Sequence, residues 1–162
     1  MEALAKKVGD ALKAKKQILV TAESCTGGWV SQEVTAIAGS SAWFERGFVT
    51  YSNQAKEEML GVRRATLARY GAVSEQTARE MARGALARGK GKVALAVTGI
   101  AGPSGGSRAK PVGTVCFAWA RRGKLASLTE HYRGNRQSIR RQSVIRALEG
   151  VISLLEEKRR EG

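Results

Sequence analysis

Two kinds of ionisable residue are scarce in this sequence. Among its 162 residues there is one histidine, His131, and one aspartate, Asp10. A catalytic site that uses histidine must recruit His131, and a carboxylate-rich metal site must consist almost entirely of glutamates. The sequence contains no HExxH motif and no paired-carboxylate spacing. These absences weigh against metal-dependent hydrolysis and, more weakly, against histidine-based catalysis.

Cysteines and long apolar runs are also few. Cys25 and Cys116 form no CxxC or zinc-binding spacing, which favours reduced thiols. No apolar run approaches the roughly 20 residues of a membrane-spanning helix, and the lysine-dotted N-terminus lacks the apolar core of a signal peptide. We therefore expect a cytoplasmic protein with no membrane contact. The length and the Met1 start predict one stand-alone domain over residues 1–162.

Acidic residues are outnumbered two to one, by 28 lysines and arginines against 14 acidic side chains, for a net charge of +14. Such a charge favours anionic partners, either a phosphorylated small molecule or a nucleic acid. No RNP motif, zinc finger or long basic tail is present. We therefore do not expect nucleic-acid binding and assign most of the charge to solvated surface. The local basic clusters are 63–64, 121–122, 140–141 and 158–160.

Hydrophobic periodicity predicts alternating helices and strands. The predicted helices cover about 2–15, 26–37, 53–60, 63–70 and 74–88, with a long last helix after Asn135. The predicted strands cover 17–21, 43–51, 93–98, 112–121 and 125–133. This order predicts an α/β fold, a three-layer α/β/α sandwich around a mixed β-sheet.

Polar residues stand where three of these strands end. Ser24, Tyr51 and Thr98 each lie at or just beyond the carboxyl end of a predicted strand. In open α/β sheets, ligands bind beyond these ends. The sequence therefore predicts one site that includes all three residues.

The stretch TAESCTGGWV, residues 21–30, holds the first candidate nucleophile. Ser24 lies between a strand and a helix N-terminus, where backbone N–H groups stabilise negative charge. Gly27 and Gly28 allow a ligand to approach the backbone closely. The alternative is that Ser24 or Thr26 is only a helix cap and that the glycines allow tight packing.

A nucleophilic serine needs a base, and the sequence offers two. His131 lies in a predicted edge strand, where a half-exposed structural histidine is an equally good interpretation. Lys56 lies one turn into the helix after Tyr51, in the segment YSNQAK. A lysine becomes a base when burial or neighbouring cations lower its pKa, and the many arginines make the second cause plausible. The simpler interpretation of Lys56 is a solvated side chain. Cys25 could compete as a nucleophile, but its simpler interpretation is a small buried thiol.

A glycine-rich loop, residues 99–107, follows the central strand at Thr98. Its spacing matches neither a P-loop nor GxGxxG, yet such a loop can hold a phosphate with its backbone N–H groups. A flexible surface turn is the alternative.

Taken together, six motifs resemble the CinA C-terminal domain family, which includes nicotinamide mononucleotide deamidases. They occur in the family's order over residues 4–155. The motifs are AESCTGG (22–28), YSNQAK (51–56), GAVSEQTA (71–78), VTGIAGPSGG (97–106), KPVGTV (110–115) and GNR followed by IR (134–140). The resemblance implies an α/β/α sandwich and an amidohydrolase without metal or other cofactor. Its reaction converts nicotinamide mononucleotide to nicotinate mononucleotide and ammonia.

The resemblance also implies roles for individual residues. Ser24 is the expected nucleophile, Lys56 its general base, and Tyr51 a residue that assists proton transfer or orients Lys56. The expected substrate contacts are Thr98, Arg136 or Arg140 near the phosphate, the backbone of Thr26, Gly27 and Gly28, and the 99–106 loop with Gly99 and Gly102. Where the family often has an acidic residue, this chain has Asn135, directly before Arg136.

The partner predicted from the resemblance and the charge is a phosphorylated nucleotide. A homodimer is predicted from the small size and spare apolar surface. The alternative function is a catalytically silent module that binds a nucleotide or a partner linked to competence or DNA damage.

Overall fold

A five-stranded mixed sheet forms the middle of the molecule. The computed structural model describes residues 1–157, so the basic cluster at 158–160 lies outside the described residues. The strands are β1 (Leu19–Glu23), β2 (Phe44–Val49), β3 (Val93–Gly99), β4 (Thr114–Arg121) and β5 (Lys124–His131). Their spatial order is β2-β1-β3-β4-β5. β1 is parallel to both β2 and β3, whereas β4 and β5 continue the sheet in antiparallel register.

Within residues 1–157, six α-helices cover the two faces of this sheet. They are α1 (Glu2–Ala14), α2 (Trp29–Thr35), α3 (Asn53–Leu60), α4 (Arg64–Tyr70), α5 (Glu75–Arg88) and α6 (Arg136–Glu156). Helices α1, α2 and α6 share one apolar core with the sheet, and α3, α4 and α5 share the other. The three-layer α/β/α sandwich with a mixed sheet is therefore confirmed.

The two cores differ in the size of the side chains that the sheet contributes. On the face of α1, α2 and α6, the sheet presents large residues such as Leu95, Phe117 and Trp119. On the other face it presents mainly alanines, including Ala96 and Ala118. Small side chains let α5 lie close to the sheet, which brings α3, packed against α5, near the ends of the parallel strands.

The segment between β1 and α2 differs from the predicted boundaries. The prediction of a helix from residue 26 is wrong, because α2 begins at Trp29 and Gly28 is its N-cap. Gly27 and Gly28 have φ angles of 60° and 105°, so they form a left-handed turn instead of the first helical turn. β1 continues to Glu23, because it pairs on both sides as far as Val49 and Val97.

Within residues 1–157, no helix combines the length and the apolar character that crossing a membrane requires.

Candidate active site

The carboxyl ends of the three parallel strands meet at one edge of the sheet. Ser24 follows β1 directly, Tyr51 follows β2 by two residues, and Thr98 is the penultimate residue of β3. A cavity of about 360 Å³ opens there. The predicted site residues that line it are Ser24, Tyr51, Lys56, Thr98, Gly99, Gly102 and Arg136.

Lys56 is a buried lysine whose amine contacts Ser24. Its side chain comes from the first turn of α3, which Ser52 caps by accepting the N–H of Ala55. The Lys56 Nζ lies 2.9 Å from the Ser24 Oγ, with 1% of Lys56 and 7% of Ser24 exposed. The amine also donates to the backbone carbonyls of Thr50 at 2.8 Å and Tyr51 at 3.2 Å.

Burial lowers the pKa of Lys56 from 10.5 to about 8. Burial outweighs the opposing influence of the neighbouring Cys25 thiol. Neighbouring arginines, which the composition suggested as a cause, do not account for the lowered pKa. An amine with a pKa near 8 is partly neutral at physiological pH, which a general base requires.

The partners of Lys56 determine what its neutral form can accept. A neutral amine has two N–H groups and one lone pair. The carbonyl oxygens of Thr50 and Tyr51 are acceptors only, so they take the two N–H groups. The lone pair is then left for the remaining partner, and the Ser24 hydroxyl can donate its proton to the Lys56 Nζ.

Glu23 holds the loop after Ser24 in place, a role that sequence reasoning missed. Its fully buried carboxylate accepts four hydrogen bonds at the start of α2. One oxygen accepts from the Thr26 hydroxyl at 2.7 Å and the Val30 N–H at 2.8 Å. The other accepts from the N–H of Ser31 at 3.1 Å and from its hydroxyl at 2.8 Å. The negative charge at a helix N-terminus was the available sequence signal.

Four predicted substrate contacts lie outside the wall of this cavity. Thr26 is fully buried, and its hydroxyl donates to Glu23. Gly27 and Gly28 form the turn behind it. Arg140 donates from Nε to the Cys25 carbonyl at 3.0 Å and from a terminal nitrogen to the Thr26 carbonyl at 3.1 Å. Because its guanidinium holds the backbone of this loop, Arg140 acts on the site through the loop.

Arg136 reaches the cavity from the first residue of α6. One terminal nitrogen donates to the Gly102 carbonyl at 2.7 Å, and the other donates to the Tyr51 hydroxyl at 3.3 Å. The Tyr51 side chain is 64% exposed and contacts Arg136, whereas its carbonyl contacts Lys56. The backbone of Tyr51 therefore orients the Lys56 amine, and its ring flanks the cavity mouth.

The remaining candidates have structural partners or lie elsewhere. The Thr98 hydroxyl donates to the Ala72 carbonyl at 2.9 Å, which ties β3 to the segment before α5. Burial raises the pKa of the Cys25 thiol to about 12, so this thiol stays protonated and is a poor nucleophile. His131 lines a different cavity, where its Nδ1 lies 3.4 Å from the Thr114 hydroxyl.

In the described part of the chain, no group of three or more histidine, cysteine, aspartate or glutamate side chains is arranged to hold a metal ion.

Comparison with known proteins identifies the family. The model of the CinA C-terminal domain family matches residues 1–155. This chain belongs to that family. The resemblance drawn from the six sequence motifs is thereby confirmed.

Relatives within the family carry a functional name. The nicotinamide-nucleotide amidohydrolase PncC of Escherichia coli K12 is 56% identical over 147 residues, which cover 90% of this chain and 89% of that protein. The protein of the same name from Pseudomonas putida is 46% identical and covers 93% of this chain and 94% of its own. The crystal structure of the competence/damage inducible protein CihA from Agrobacterium tumefaciens superposes with a TM-score of 0.93. It is 49% identical and covers 96% of this chain and 95% of that one.

Proposed function

We propose that this chain is a nicotinamide-nucleotide amidohydrolase that hydrolyses nicotinamide mononucleotide to nicotinate mononucleotide and ammonia. The contact between the Lys56 amine and the Ser24 hydroxyl, 2.9 Å long and shielded from solvent, carries the proposal. The name of the E. coli and P. putida relatives supplies the substrate class. A cavity of about 360 Å³ at this contact is large enough for a mononucleotide.

The first half of the proposed reaction transfers the acyl group to Ser24. The Ser24 oxygen attacks the carboxamide carbon while its proton passes to the Lys56 lone pair. The tetrahedral intermediate then collapses, the C–N bond breaks, and the protonated Lys56 returns the proton to the leaving nitrogen as ammonia forms. An ester between Ser24 and the nicotinoyl group remains.

Water completes the cycle with the same base. Lys56, neutral again, takes a proton from water as the water oxygen attacks the ester carbon. The ester C–O bond breaks, Ser24 regains its proton from Lys56, and nicotinate mononucleotide leaves. Each step moves one proton between Lys56 and its neighbour, so the dyad needs no additional proton carrier.

We assign the substrate's phosphate to Arg136 and not to Arg140. Arg136 lines the cavity and uses two of its five N–H groups on Gly102 and Tyr51, which leaves donors for an anion. Arg140 is committed to two loop carbonyls and lies off the cavity wall.

The decisive experiment measures ammonia released from nicotinamide mononucleotide in the presence of EDTA. We expect release by the wild type, none by Ser24→Ala, and a loss of about 10²–10⁴-fold in Lys56→Met. Ser153→Ala and Lys92→Met, at exposed positions away from the cavity, are matched controls and should keep full activity. Ammonia release by Ser24→Ala would refute the assignment of Ser24 as the nucleophile. Tight binding without ammonia from the folded wild type would favour the silent binding module.

A further inference from the structure

A second cavity lies beside the catalytic one and has about twice its volume, about 760 Å³ against about 360 Å³. Its walls are the C-terminal end of α4, the N-terminal end of α5 and residues 109–110, and β4 and β5 form its floor. Val73 lines both cavities. We refer to this second cavity as the basic groove. The proposed amidase reaction assigns it no role.

The floor of the basic groove carries mainly polar side chains. Two cross-strand pairs form it, Thr114 opposite His131 and Cys116 opposite Thr129. Further along β4 the same face carries Ala118 and Ala120, which pack in the core with α5, and Ser127 opposite Ala118 donates to Glu75. Polar side chains therefore replace alanines where the helix layer ends, and they offer hydrogen-bonding groups to a polar ligand.

Three cations line the groove without an acidic partner. Within residues 1–157, Arg69, Arg79 and Lys110 have no carboxylate oxygen within 4.0 Å. Arg79 donates to the Ser127 hydroxyl, and the Lys110 amine donates to the Tyr70 carbonyl. These neutral acceptors orient the cations without neutralising them.

Among the described residues, the one carboxylate that lines the groove is hydrogen-bonded to side chains of β5. Glu75, in the first turn of α5, accepts the hydroxyls of Ser127 and Thr129, each at 2.9 Å. Three cations against one hydrogen-bonded carboxylate leave the groove with a net positive charge. Arg69 is exposed and Arg79 and Lys110 are half-buried, so an anion in the groove can accept charge-assisted hydrogen bonds from them.

Two motifs that the dyad does not use also meet in the groove. GAVSEQTA (71–78) supplies its α5 wall, and KPVGTV (110–115) supplies Lys110 and Thr114. Ala72 and Val73 of the first segment also line the catalytic cavity, but the α5 residues of that segment and the residues of KPVGTV do not, so the reaction at Ser24 leaves these parts unexplained.

We propose that the basic groove is a second, non-catalytic site for a phosphorylated small molecule. The arginine forks and the lysine match phosphate oxygens. The Tyr70 ring, with 36% of the residue exposed, has the Arg69 guanidinium 5.2 Å from its centre and offers the rest of its apolar surface to a sugar or base. The ligand is a free polyphosphate or a nucleoside phosphate, both of which present the same anion. The groove is an open cavity of small-molecule size between α4, α5 and residues 109–110, and not a surface stripe that follows a nucleic-acid backbone.

Calorimetric titration with pyrophosphate tests the proposal. The titrated protein carries Arg136→Met, so that the phosphate contact assigned to the catalytic cavity is removed. On that background, Arg79→Met with Lys110→Met should weaken pyrophosphate binding by at least about tenfold, because two charge-assisted contacts are lost. Lys6→Met with Lys7→Met, at exposed positions of α1 on the opposite face, removes the same net charge and should leave the affinity unchanged.

A double variant that preserves both charges distinguishes lost binding from a folding defect. Arg79→Lys with Lys110→Arg should retain most of the affinity, and amide resonances of residues 69–79 and 109–116 should shift on titration. Equal affinity for pyrophosphate and adenosine diphosphate would assign binding to the phosphates, and tighter binding of the nucleotide would add the Tyr70 surface. Equal weakening in the groove pair and the α1 pair would overturn the proposal. So would stronger binding of a single-stranded oligonucleotide than of either small probe.

Discussion

The pKa of Lys56 makes the proposed activity depend on pH in one direction. A lysine base works only when neutral, and burial places its pKa near 8. We expect kcat/KM for nicotinamide mononucleotide to rise with pH through about 8 and to level off above it. The measurement is a pH–rate profile between pH 6 and 10. A profile that is flat across pH 8 would contradict Lys56 as the base.

The two roles considered for Tyr51 are separable by Tyr51→Phe. Its backbone carbonyl accepts from Lys56, whereas its hydroxyl accepts from Arg136. Removing the hydroxyl should therefore leave the pH midpoint and kcat within about threefold of the wild type, since one exposed hydrogen bond is lost. A kcat loss of a hundredfold or more would instead assign proton transfer to the hydroxyl.

Substitutions of Arg136 and Arg140 should change different kinetic parameters. Arg136→Met should raise KM for the nucleotide about 10–100-fold, because a charged contact to phosphate is lost, and should leave the phosphate-free riboside unaffected. Arg140→Met should lower kcat for nucleotide and riboside by the same factor, because it loosens the loop after Ser24. Steady-state kinetics with both substrates checks this. The reverse pattern would exchange the two assignments.

These residues show which positions in the site could be predicted from the sequence. The strand ends at Ser24, Tyr51 and Thr98 followed from hydrophobic patterning, and Lys56 followed from its place one turn into the next helix. Arg136 and Arg140 stand four residues apart on one helix, so they share a face and the sequence does not distinguish them. They differ in which carbonyls lie opposite: Arg136 faces Gly102 of the glycine-rich loop, and Arg140 faces Cys25 and Thr26 of the segment after β1.

At the scale of elements, α2 depends on a buried charge. Glu23 accepts four hydrogen bonds there, two on each carboxylate oxygen. Ser31 donates both of the bonds that one of these oxygens accepts. In Glu23→Gln, the side-chain NH₂ group would face the two donors of Ser31. With the amide rotated, it would face the donors of Thr26 and Val30 instead. We expect a loss of about 2–4 kcal/mol in the free energy of unfolding, measured with urea. Glu2→Gln, exposed in the first turn of α1, is the control and should cost well under 1 kcal/mol.

This carboxylate also explains a limit of prediction. The hydroxyls and glycines of residues 24–28 suggested ligand chemistry, but Thr26, Gly27 and Gly28 form the turn between β1 and α2 that Glu23 holds. Sequence patterns give residue types, whereas hydrogen-bond partners such as the Val30 and Ser31 N–H groups depend on where the helix begins. A start at Trp29 instead of residue 26 changes which of these groups face the cavity.

The contact of α3 with α5 should be equally sensitive to substitution. A Cβ added at Gly84 would overlap the Leu60 carbonyl oxygen, which is backbone and cannot rotate away. Gly84→Ala should therefore destabilise the protein, although alanine is the better helix former. Because α3 carries Lys56, kcat should fall as well. Thermal denaturation and activity assays check both, and a stabilised, fully active variant would refute the close approach.

At the scale of the whole molecule, the net charge of +14 should act on the substrate before it reaches the dyad. A strongly positive protein raises the local concentration of an anionic ligand, and salt screens that attraction within about 10 Å at 0.1 M. We expect kcat/KM for the nucleotide to fall as NaCl rises from 10 to 300 mM, while kcat stays constant. The riboside lacks the phosphate and keeps the positive pyridinium ring, so the protein repels it and its kcat/KM should rise slightly with salt instead of falling. Parallel losses for both substrates would place the effect of salt on the folded protein instead of on the encounter with the phosphate.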